Sequence, residues 1–414
     1  MSDIWTQRGT IALACARGLA RYTRREARAL GFEVVADDES SVEVVGTLRD
    51  AMRLNLWLRT AHRVLIPVAR AEAKTIEHLY NHASAVPWEK WLPPDGFFTV
   101  HGTVRNDTVR DTRLPMLRVK DAIADRMRQV HGRRPDSGSG FSGAAVFILW
   151  RERDLRIFMD TTGDSLSRRG YRLWPGSAPM QETLAAACVM ATGWDWHAPF
   201  VAPMCGSGTP AIEAALIAKQ RAPGLLRDYF AFMALQGYAG AEPADWWMEE
   251  RESALRSARP DAEVPPIVAT DHSPEAVRHA RENAERAGVG RYISFACCDF
   301  AETRLPPGRG MIFMNPEYGE RLGGDRARLV PTYRRIGDFL RRQATYRGGV
   351  LTASPRLARE IGLKPKKLFP FFNGPLECRL LMFDYGNDHL ATAVKGKIGI
   401  TAEDTVRADR EGRW

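Results

Sequence analysis

The chain has 414 residues, which is long enough for two or three domains, and its 44% hydrophobic and 26% charged content is that of a globular protein. It contains no run of about 18 apolar residues, and its first residues lack the apolar core of a signal peptide, so we expect a cytoplasmic protein without a membrane partner. The formal charge of +9, concentrated before residue 180, favours a polyanionic partner, although a solvated arginine-rich surface is equally compatible with it.

The first 165 residues predict two small α+β units, at 1–65 and 66–165. In the first, TIALACARGLA predicts a strand, RYTRREARALG a helix that ends in glycine, and FEVVADDESSVEVVG a hairpin. In the second, RLPMLRVKDAIADRMRQVHG predicts a helix, RRPDSGSG a basic glycine-rich turn, and AAVFILWRERD with LRIFMDTTG two closing strands.

Strands and helices alternate over 166–386, which predicts an α/β domain with a parallel, doubly wound sheet. The predicted strands lie in PFVAPMCGSGT, VPPIVATDHSP, RYISFACCDF and GRGMIFMNPEYG, and two more follow in GGVLTAS and LECRLLMFDYG. A helical insertion is expected at roughly 219–260, after the first of these strands. The tail at 387–414 has no clear pattern.

The cysteines do not predict a metal site. They form no C-x-x-C pair, and none stands near a histidine at zinc-ligand spacing. We expect buried, reduced thiols at all six positions, which are Cys15, Cys188, Cys205, Cys297, Cys298 and Cys378.

Small and acidic residues follow the first three strands of the α/β domain. Gly206 and Gly208 allow the backbone to approach a ligand at the start of a helix, although a tight structural turn would use the same residues. Asp271 ends the second strand, where a carboxylate can accept hydrogen bonds from a ribose; the alternative role, capping the next helix, suits Ser273 better. Asp299 follows the third strand and is placed to accept a hydrogen bond from the amino group of an adenine; a plain loop aspartate is the alternative. Together these three strand ends predict a nucleoside site.

The fourth strand end, NPEY, predicts a pocket for an amino group attached to a base. Such an amine is a poor nucleophile, and a site can assist it by accepting its protons. The side-chain oxygen of Asn315 and the carbonyl of Pro316 can do so, while Tyr318 offers an aromatic face for a flipped base. An Asn-Pro turn beside a core tyrosine is the structural alternative.

The motifs CGSGT, NPEYGERLG and NGPLECRLL resemble those of class I S-adenosylmethionine-dependent methyltransferases that modify RNA bases. Over about 1–386 the chain is similar to the bacterial guanine-N2 methyltransferases of 23S (large-subunit) ribosomal RNA that carry a THUMP domain. MDTTGDSLSRRGYR followed by APMQETLAAA resembles that family's junction between THUMP and catalytic domain. The resemblance implies a ferredoxin-like piece at 1–65, a THUMP RNA-binding domain at 66–165 and a Rossmann-like catalytic domain at 166–386.

The resemblance also implies roles for individual residues. Asn315, Pro316, Glu317 and Tyr318 would be catalytic, and Lys120, Arg133 and Arg134 are candidate contacts to RNA phosphates, with a plain solvated charge as the alternative for each. The expected cofactor is S-adenosylmethionine, with no metal. Its predicted binding residues are Pro203, Cys205, Gly206, Ser207, Gly208, Thr209, Asp271, His272, Asp299, Phe300 (packing on the adenine ring) and Asn315.

Two residues depart from the family pattern. Ala202 stands where the family usually has an aspartate that helps to hold the methionine end of the cofactor, and Glu213 is a candidate substitute for it. Glu317 replaces a second proline. A carboxylate that faces the pocket would pair with the adjacent N1–H and N2 amine of guanine and repel N1 of adenine, so Glu317 predicts guanine; if its side chain points to solvent, that argument fails.

The expected reaction is direct transfer of a methyl group to guanine N2, most simply in 23S ribosomal RNA. Three alternatives stay open: a transfer RNA guanine-N2 methyltransferase, an adenine-N6 methyltransferase, and an RNA-binding or assembly factor with weak catalysis. The sequence does not indicate the target nucleotide or the oligomeric state.

Overall fold

A computed structural model describes residues 4–107, 109, 111, 113–140, 142–173, 180–240, 242–319 and 326–384. The predicted tail at 387–414 and the GERLG end of the NPEY motif, beyond Gly319, lie outside these residues. The chain forms two compact units. Unit 1 comprises 1–16, 20–167 and 222–256, and unit 2 comprises 17–19, 168–221 and 257–414.

Unit 1 contains one mixed sheet of eight strands in the order β2-β3-β1-β4-β8-β7-β5-β6. The strands are β1 (Gly9–Cys15), β2 (Val34–Asp37), β3 (Ser41–Gly46), β4 (Ala61–Glu72), β5 (Phe97–Arg105), β6 (Asp136–Ser137), β7 (Ala144–Arg151) and β8 (Asp154–Asp160). The helices before the second unit are α1 (Ala20–Ala29), α2 (Leu48–Trp57), α3 (Ile76–Ser84) and α4 (Arg113–His131). The long strand β4 pairs with β1 on one side and β8 on the other, so a single sheet runs across the predicted boundary at residue 65.

Residues 222–256 group with unit 1, although they follow the first strand and helix of unit 2 in the chain. Their main helix, α7 (Glu242–Arg256), packs against α2. Arg49 and Arg53 of α2 form ion pairs with Glu242 (2.5 Å) and Glu250 (3.4 Å) of α7. The helical insertion predicted at 219–260 therefore belongs, for most of its length, to the amino-terminal unit.

Unit 2 contains a seven-stranded sheet in the order β11-β10-β9-β12-β13-β15-β14, which confirms the predicted doubly wound α/β sheet. The strands are β9 (Phe200–Pro203), β10 (Ile267–Asp271), β11 (Ile293–Cys297), β12 (Gly310–Met314), β13 (Tyr346–Thr352), β14 (Lys367–Asn373) and β15 (Leu376–Phe383). The helices are α5 (Glu182–Ala191), α6 (Thr209–Ala218), α8 (Pro274–Arg286), α9 (Arg326–Arg341) and α10 (Pro355–Glu360). Strands β9 to β13 are parallel, while β15 pairs antiparallel with β13 and β14.

The strand order reverses between β9 and β12. These two neighbours are buried along their whole length, which fits their uninterrupted apolar runs in the centre of a parallel sheet. Loops that follow adjacent strands at such a reversal leave a crevice at the carboxyl edge of the sheet, where α/β folds bind ligands. The glycine turn after β9 and the NPEY segment after β12 both begin at that edge.

The thiol prediction is partly wrong. Cys15, Cys188, Cys205 and Cys378 are buried and, among the described residues, form no disulfide, as expected, but Cys297 is exposed and Cys298 is half-buried. Both follow from position, because β11 lies at the edge of the sheet and most of its residues face solvent. Among the helices of the described residues, none is long and apolar enough to cross a membrane.

Candidate functional site

The turn after β9 has left-handed backbone at three of its five residues. Met204, Gly206 and Gly208 have φ of 58°, 52° and 84°. A Cβ on Gly208 would lie 2.9 Å from that of Ala280 on α8, so this glycine is required for packing. A Cβ on Gly206 would meet no atom within 4 Å, so this glycine borders open space at the start of α6. The geometry suits a ligand at Gly206 and a helix contact at Gly208.

Neighbouring side chains fix this turn from two directions. Asn283 of α8 donates from Nδ2 to the carbonyl of Ser207 (3.0 Å) and accepts from the backbone N–H of Leu173 (2.9 Å). Arg172 donates from Nη2 to Oγ1 of Thr209 (3.0 Å), the first residue of α6. Residues 172 and 173 belong to the predicted interdomain junction, and they hold the glycine turn within unit 2.

Asp271 lies at the end of β10, beside the glycine turn. Its Oδ2 accepts from the N–H of Gly206 (3.0 Å) and its Oδ1 from the N–H of Ser273 (3.0 Å). Each carboxylate oxygen can accept more than one hydrogen bond, so both can still accept from a ribose. Ser273 caps α8 through the N–H of Ala276, as predicted, while His272 next to it is 84% exposed in its side chain.

Asp299 follows β11 and is held by a partner that the sequence did not suggest. Its Oδ1 accepts from the N–H of Ala301 (2.9 Å) and from Nη2 of Arg335 on α9 (2.7 Å). Burial, the largest single influence, raises the pKa of Asp299, but the hydrogen bonds from Arg335 and the Ala301 N–H and the positive charges of Arg335 and His272 together outweigh it, so the pKa lies below the ordinary value of 3.8. The ring of Phe300 is 5% exposed, packs edge-to-face on Phe339 and lies under the Arg335 guanidinium. Little of that ring is open, so its contact with adenine stays a prediction.

Asn315 directly follows the buried strand β12. Its Oδ1 is buried, and among the described residues it has no hydrogen-bond partner. A buried amide oxygen without a partner costs free energy, about 1–3 kcal/mol, unless a ligand supplies a donor. Pro316, next in the chain, is buried. The amide oxygen predicted to accept an amine proton is thus present and unsatisfied.

Three buried side chains from other elements support the NPEY segment. Tyr333 of α9 donates from its hydroxyl to the backbone carbonyl of Glu317 (3.1 Å) and lies 2.9 Å from Oγ1 of Thr352. Since a phenol has one proton, Thr352 is the donor in the second bond. Asn373, the last residue of β14, donates from Nδ2 to the hydroxyl of Tyr318 (3.1 Å).

These bonds fix the backbone of the segment but not its carboxylate. Glu317 is exposed, and Tyr318 is only 7% exposed. A carboxylate that contacts a substrate base must be accessible, and a carboxylate that points to solvent is accessible too. The exposure of Glu317 therefore does not decide between these two cases, and its guanine contact stays a prediction. The buried ring of Tyr318 leaves little free face for a base, and its stacking role also stays a prediction.

Glu213 does not replace the acid missing at Ala202. Its buried carboxylate accepts from Nε and Nη2 of Arg169 (2.8 and 3.2 Å) and from the hydroxyl of Tyr171 (3.1 Å). Arg169 is itself 1% exposed, so the two charges form an internal ion pair. Glu213 therefore joins α6 to residues 169 and 171 at the start of the 168–221 part of unit 2, and our suggestion that it holds the cofactor is wrong.

The predicted RNA contacts lie in unit 1. Lys120 of α4 donates from Nζ to the carbonyl of Gly138 (2.9 Å), which gives it a structural partner. Arg133 is 61% exposed in its side chain and lies 3.7 Å from Asp95, and Arg134 is exposed. RNA binding by these three residues remains a prediction.

Motif spacing could not have found the supporting residues. Those that hold the glycine turn and the strand ends lie 16 or more residues from their partners in the sequence, and these partners include both side-chain and backbone atoms. Two of them stood in segments that the sequence marked: Arg172 ends MDTTGDSLSRRGYR, and Asn373 begins NGPLECRLL. The residues in question are Arg172, Asn283, Arg335, Tyr333, Thr352 and Asn373.

Three family models match parts of the chain. Residues 169–381 match a family described as RMKL-like, methyltransferase domain. Residues 10–65 match an RlmL ferredoxin-like domain, and 73–137 match a THUMP domain. The matches confirm both the resemblance and the predicted fold class.

Several known proteins are similar to the chain. Ribosomal RNA large subunit methyltransferase K/L of Syntrophotalea carbinolica is 37% identical over 89% of this chain and 52% of its own length. SMU.472, a putative methyltransferase complexed with SAH, is 28% identical with a TM-score of 0.82, over 92% of this chain and 99% of its own. A predicted N6-adenine-specific DNA methylase from Listeria monocytogenes is 32% identical with a TM-score of 0.80, over 92% and 97%. The chain spans about half the length of the curated relatives that it matches.

Proposed function

Since the chain belongs to the RMKL-like methyltransferase family, we propose that it transfers a methyl group from S-adenosylmethionine to guanine N2 in 23S ribosomal RNA. The observation that carries the proposal is the buried, unpartnered Oδ1 of Asn315 at the end of β12. The THUMP match and the names of the ribosomal RNA methyltransferase relatives support RNA as the substrate.

The carboxyl edge of the unit 2 sheet fits the cofactor. Gly206 borders open space, Asp271 offers both carboxylate oxygens to a ribose, and Asp299 is ionised at neutral pH and can accept an adenine amine through Oδ2. The SAH-bound relative of the same fold supports this cofactor. The missing acid at Ala202 lies at the methionine end, so we expect that end to be held less tightly.

The protein's part in the reaction is orientation and proton acceptance. When bound, the cofactor supplies an electrophilic methyl group on a sulfonium. Asn315 Oδ1 and the carbonyl of Pro316 accept hydrogen bonds from the two N–H groups of the exocyclic amine. These two hydrogen bonds direct the nitrogen lone pair out of conjugation with the ring. The amine loses one proton after it is methylated, and the exposed Glu317 carboxylate or water accepts that proton.

A Glu317 carboxylate that faces the substrate base would favour guanine over adenine. Guanine presents two adjacent donors on its Watson–Crick edge, which suit a carboxylate, whereas adenine presents an acceptor beside its amine. Adenine N6 is the second candidate, because the Listeria relative is described as a predicted adenine methylase and an Asn-Pro-x-Tyr pocket also accommodates adenine. A transfer RNA substrate and a largely non-catalytic RNA-binding role, which Ala202 would favour, are the remaining alternatives.

The test is methyl transfer from labelled S-adenosylmethionine to total RNA from cells that lack this protein. The RNA is separated by size and digested to nucleosides. Label in N2-methylguanosine of the large ribosomal RNA is the expected result. Label in methyladenosine would show that the substrate base is adenine. Label in the small RNA fraction would indicate a transfer RNA substrate. No label, together with intact RNA binding, would indicate the non-catalytic role.

Two variants examine the site itself. Asn315→Ala should abolish methyl transfer, since it removes an acceptor for the amine N–H groups. Because Asn315 is also a predicted cofactor contact, SAH affinity is measured in parallel, and the transfer rate should fall much further than SAH affinity. Glu317→Gln should reduce guanine methylation, whereas Glu285→Gln, a change at an exposed glutamate of α8, should not. Full guanine activity in Glu317→Gln would refute the proposed role of that carboxylate.

A further inference from the structure

Unit 1 contains a cavity of about 420 Å³ that none of the predicted site residues lines. It is bordered by the start of β1, the turn between β3 and α2, the middle of β4 and the strand β8. The side chains that matter for its chemistry are Arg8, Arg70 and Arg156, the rings of Trp91 and Phe158, and the carboxylate of Glu43. Its volume lies in the range of about 300–1,000 Å³ that is usual for small-ligand sites.

The charges around the cavity favour an anion. Arg70 and Arg156 both donate from Nε to Asp154, at 3.2 and 2.8 Å, so one carboxylate serves two guanidinium groups. Each arginine uses its Nε for the bond to Asp154. Among the described residues, the Nη1 and Nη2 atoms of Arg70 and Arg156 therefore remain available to a ligand. Arg70 is 70% exposed in its side chain, and Arg8 is exposed. Even with Glu43 included, the cavity and its rim retain an excess of positive charge.

The inserted segment 222–256 fixes two walls of the cavity. The N–H of Gln236 donates to the carbonyl of Trp91 (2.9 Å), and the carbonyl of Gln236 accepts from the indole N–H of Trp5 (3.1 Å). Trp5 follows Ile4, which lines the cavity, and its ring also packs on Tyr238. One inserted residue thus connects the wall at Trp91 with the wall at the chain's first strand.

We propose that this cavity binds one nucleotide of the RNA substrate, at a position other than the methylated base. The proposal rests on the RNA methyltransferase function above. Guanidinium groups are suited to phosphate oxygens, and Arg8 and Arg70 are the accessible ones. Trp91 is half-buried and provides an aromatic edge for a base, and Glu43 can accept a hydrogen bond from a ribose hydroxyl or a base amine.

The test compares RNA binding by variants of the full chain. The probe is a single-stranded 20-nucleotide RNA of mixed sequence with a 5′ fluorescein, followed by anisotropy across a salt series. The double variant R8A/R70A should bind about tenfold more weakly, and its log–log salt slope should fall by about 1.4 if two phosphate contacts are lost. Arg153→Ala is the matched control, because Arg153 is a 69%-exposed arginine in the turn between β7 and β8 and does not line the cavity. It should change Kd less than twofold.

Other measurements keep the result interpretable. R8A/R70A and Arg153→Ala should both retain the wild-type melting temperature and SAH affinity, which would show that weaker RNA binding is not a folding defect. Glu43→Lys adds positive charge at the same cavity and should tighten RNA binding. Equal Kd values for R8A/R70A and Arg153→Ala would overturn the cavity proposal, as would tighter binding of a fluorescein-labelled acidic dodecapeptide than of the RNA. Failure of the methyltransferase function has a different signature, since wild-type protein would then bind the RNA but transfer no label.

Discussion

The hydroxyl of Tyr333 is the sharpest place to test how the NPEY segment is held. Tyr333 is fully buried and donates to the carbonyl of Glu317, two residues after Asn315. Its hydroxyl also accepts from Thr352 (2.9 Å). Burial raises the pKa of Tyr333 well above its ordinary value, so the hydroxyl remains protonated, and able to donate, throughout the pH range of an assay. Tyr333→Phe removes these bonds and keeps the ring.

The expected cost follows from the two bonds. A hydrogen bond within a protein contributes a net of about 0.5–1.5 kcal/mol, and a buried group left without its partner costs about 1–3 kcal/mol. The substitution removes the bond to the Glu317 carbonyl and takes an acceptor from the Thr352 hydroxyl, which is 3% exposed, so we expect a total loss of about 1–2 kcal/mol. If the lost bonds are those that position Asn315, the activation free energy of methyl transfer rises by the same amount. The transfer rate then decreases by about 5- to 30-fold, since each 1.36 kcal/mol is a factor of ten.

Tyr346→Phe provides a matched control. Tyr346 is also buried, and its hydroxyl donates to a backbone carbonyl of the same unit, that of Pro306 (2.6 Å), but it lies at the start of β13, at the other end of the sheet from the NPEY segment. Burial raises its pKa to about 12, so it too is a donor at neutral pH. Both variants should lower the melting temperature by about 2–8 °C, given about 2–4 °C for each kcal/mol in a unit of this size.

The assay is single-turnover transfer to ribosomal RNA with saturating cofactor, accompanied by SAH binding. Tyr333→Phe should lower the transfer rate and leave SAH affinity unchanged, while Tyr346→Phe should leave both unchanged. Equal transfer rates in the two variants, at similar losses of melting temperature, would show that Tyr333 only stabilises the fold.

Three further results are expected. Arg169→Met should lower the free energy of unfolding by about 3–5 kcal/mol, because it leaves the Glu213 carboxylate buried without its charge partner, and Arg169→Met/Glu213→Leu should recover much of that loss in a double-mutant cycle followed by denaturation. Gly208→Ala should destabilise unit 2 by its collision with Ala280, seen as a lower melting temperature, and a wild-type value would contradict the geometry. The folded pKa of Asp299 is lowered, so its ion pair stabilises the protein above the ordinary pKa of 3.8 and is lost as pH falls through the lower folded value; Asp299→Asn should therefore show a smaller loss of melting temperature between pH 5 and pH 3.

The architecture of unit 2 was predictable because strand and helix periods alternate strictly in its sequence. In this alternating sequence, short apolar runs such as GMIFM fit central strands of a parallel sheet. A glycine, aspartate or asparagine ends or soon follows each of the first four strands, where the chain leaves the sheet. The position of 222–256 was not predictable. Its helix carries no pattern that distinguishes packing on α2 from packing on its neighbours in sequence, and the ion pairs of Arg49 and Arg53 exist only once the chain has returned to unit 1.

The candidate site likewise has a part that the sequence predicts and a part that it does not. Its candidate reactive groups follow strands and can be found from the sequence, but the groups that hold them are contributed by other elements, through bonds to side-chain and backbone atoms. Glu213 shows the consequence. From the sequence it was a free acid one turn into a cofactor helix, yet Arg169 and Tyr171 already occupy its carboxylate. Availability of a polar group depends on its partners, which spacing along the chain does not encode.

The same criterion supports Asn315 as the acceptor of the amine protons. Asp271, Asp299 and Glu213 all accept hydrogen bonds from the protein itself, so their carboxylates are fixed before any ligand arrives. The amide oxygen of Asn315 is buried, and among the described residues it has no donor. A fold retains such an oxygen at a cost in stability, and a substrate N–H is the group that would offset it. This energetic asymmetry between the polar groups, rather than the motif alone, is the reason we propose that the reacting amine binds at Asn315.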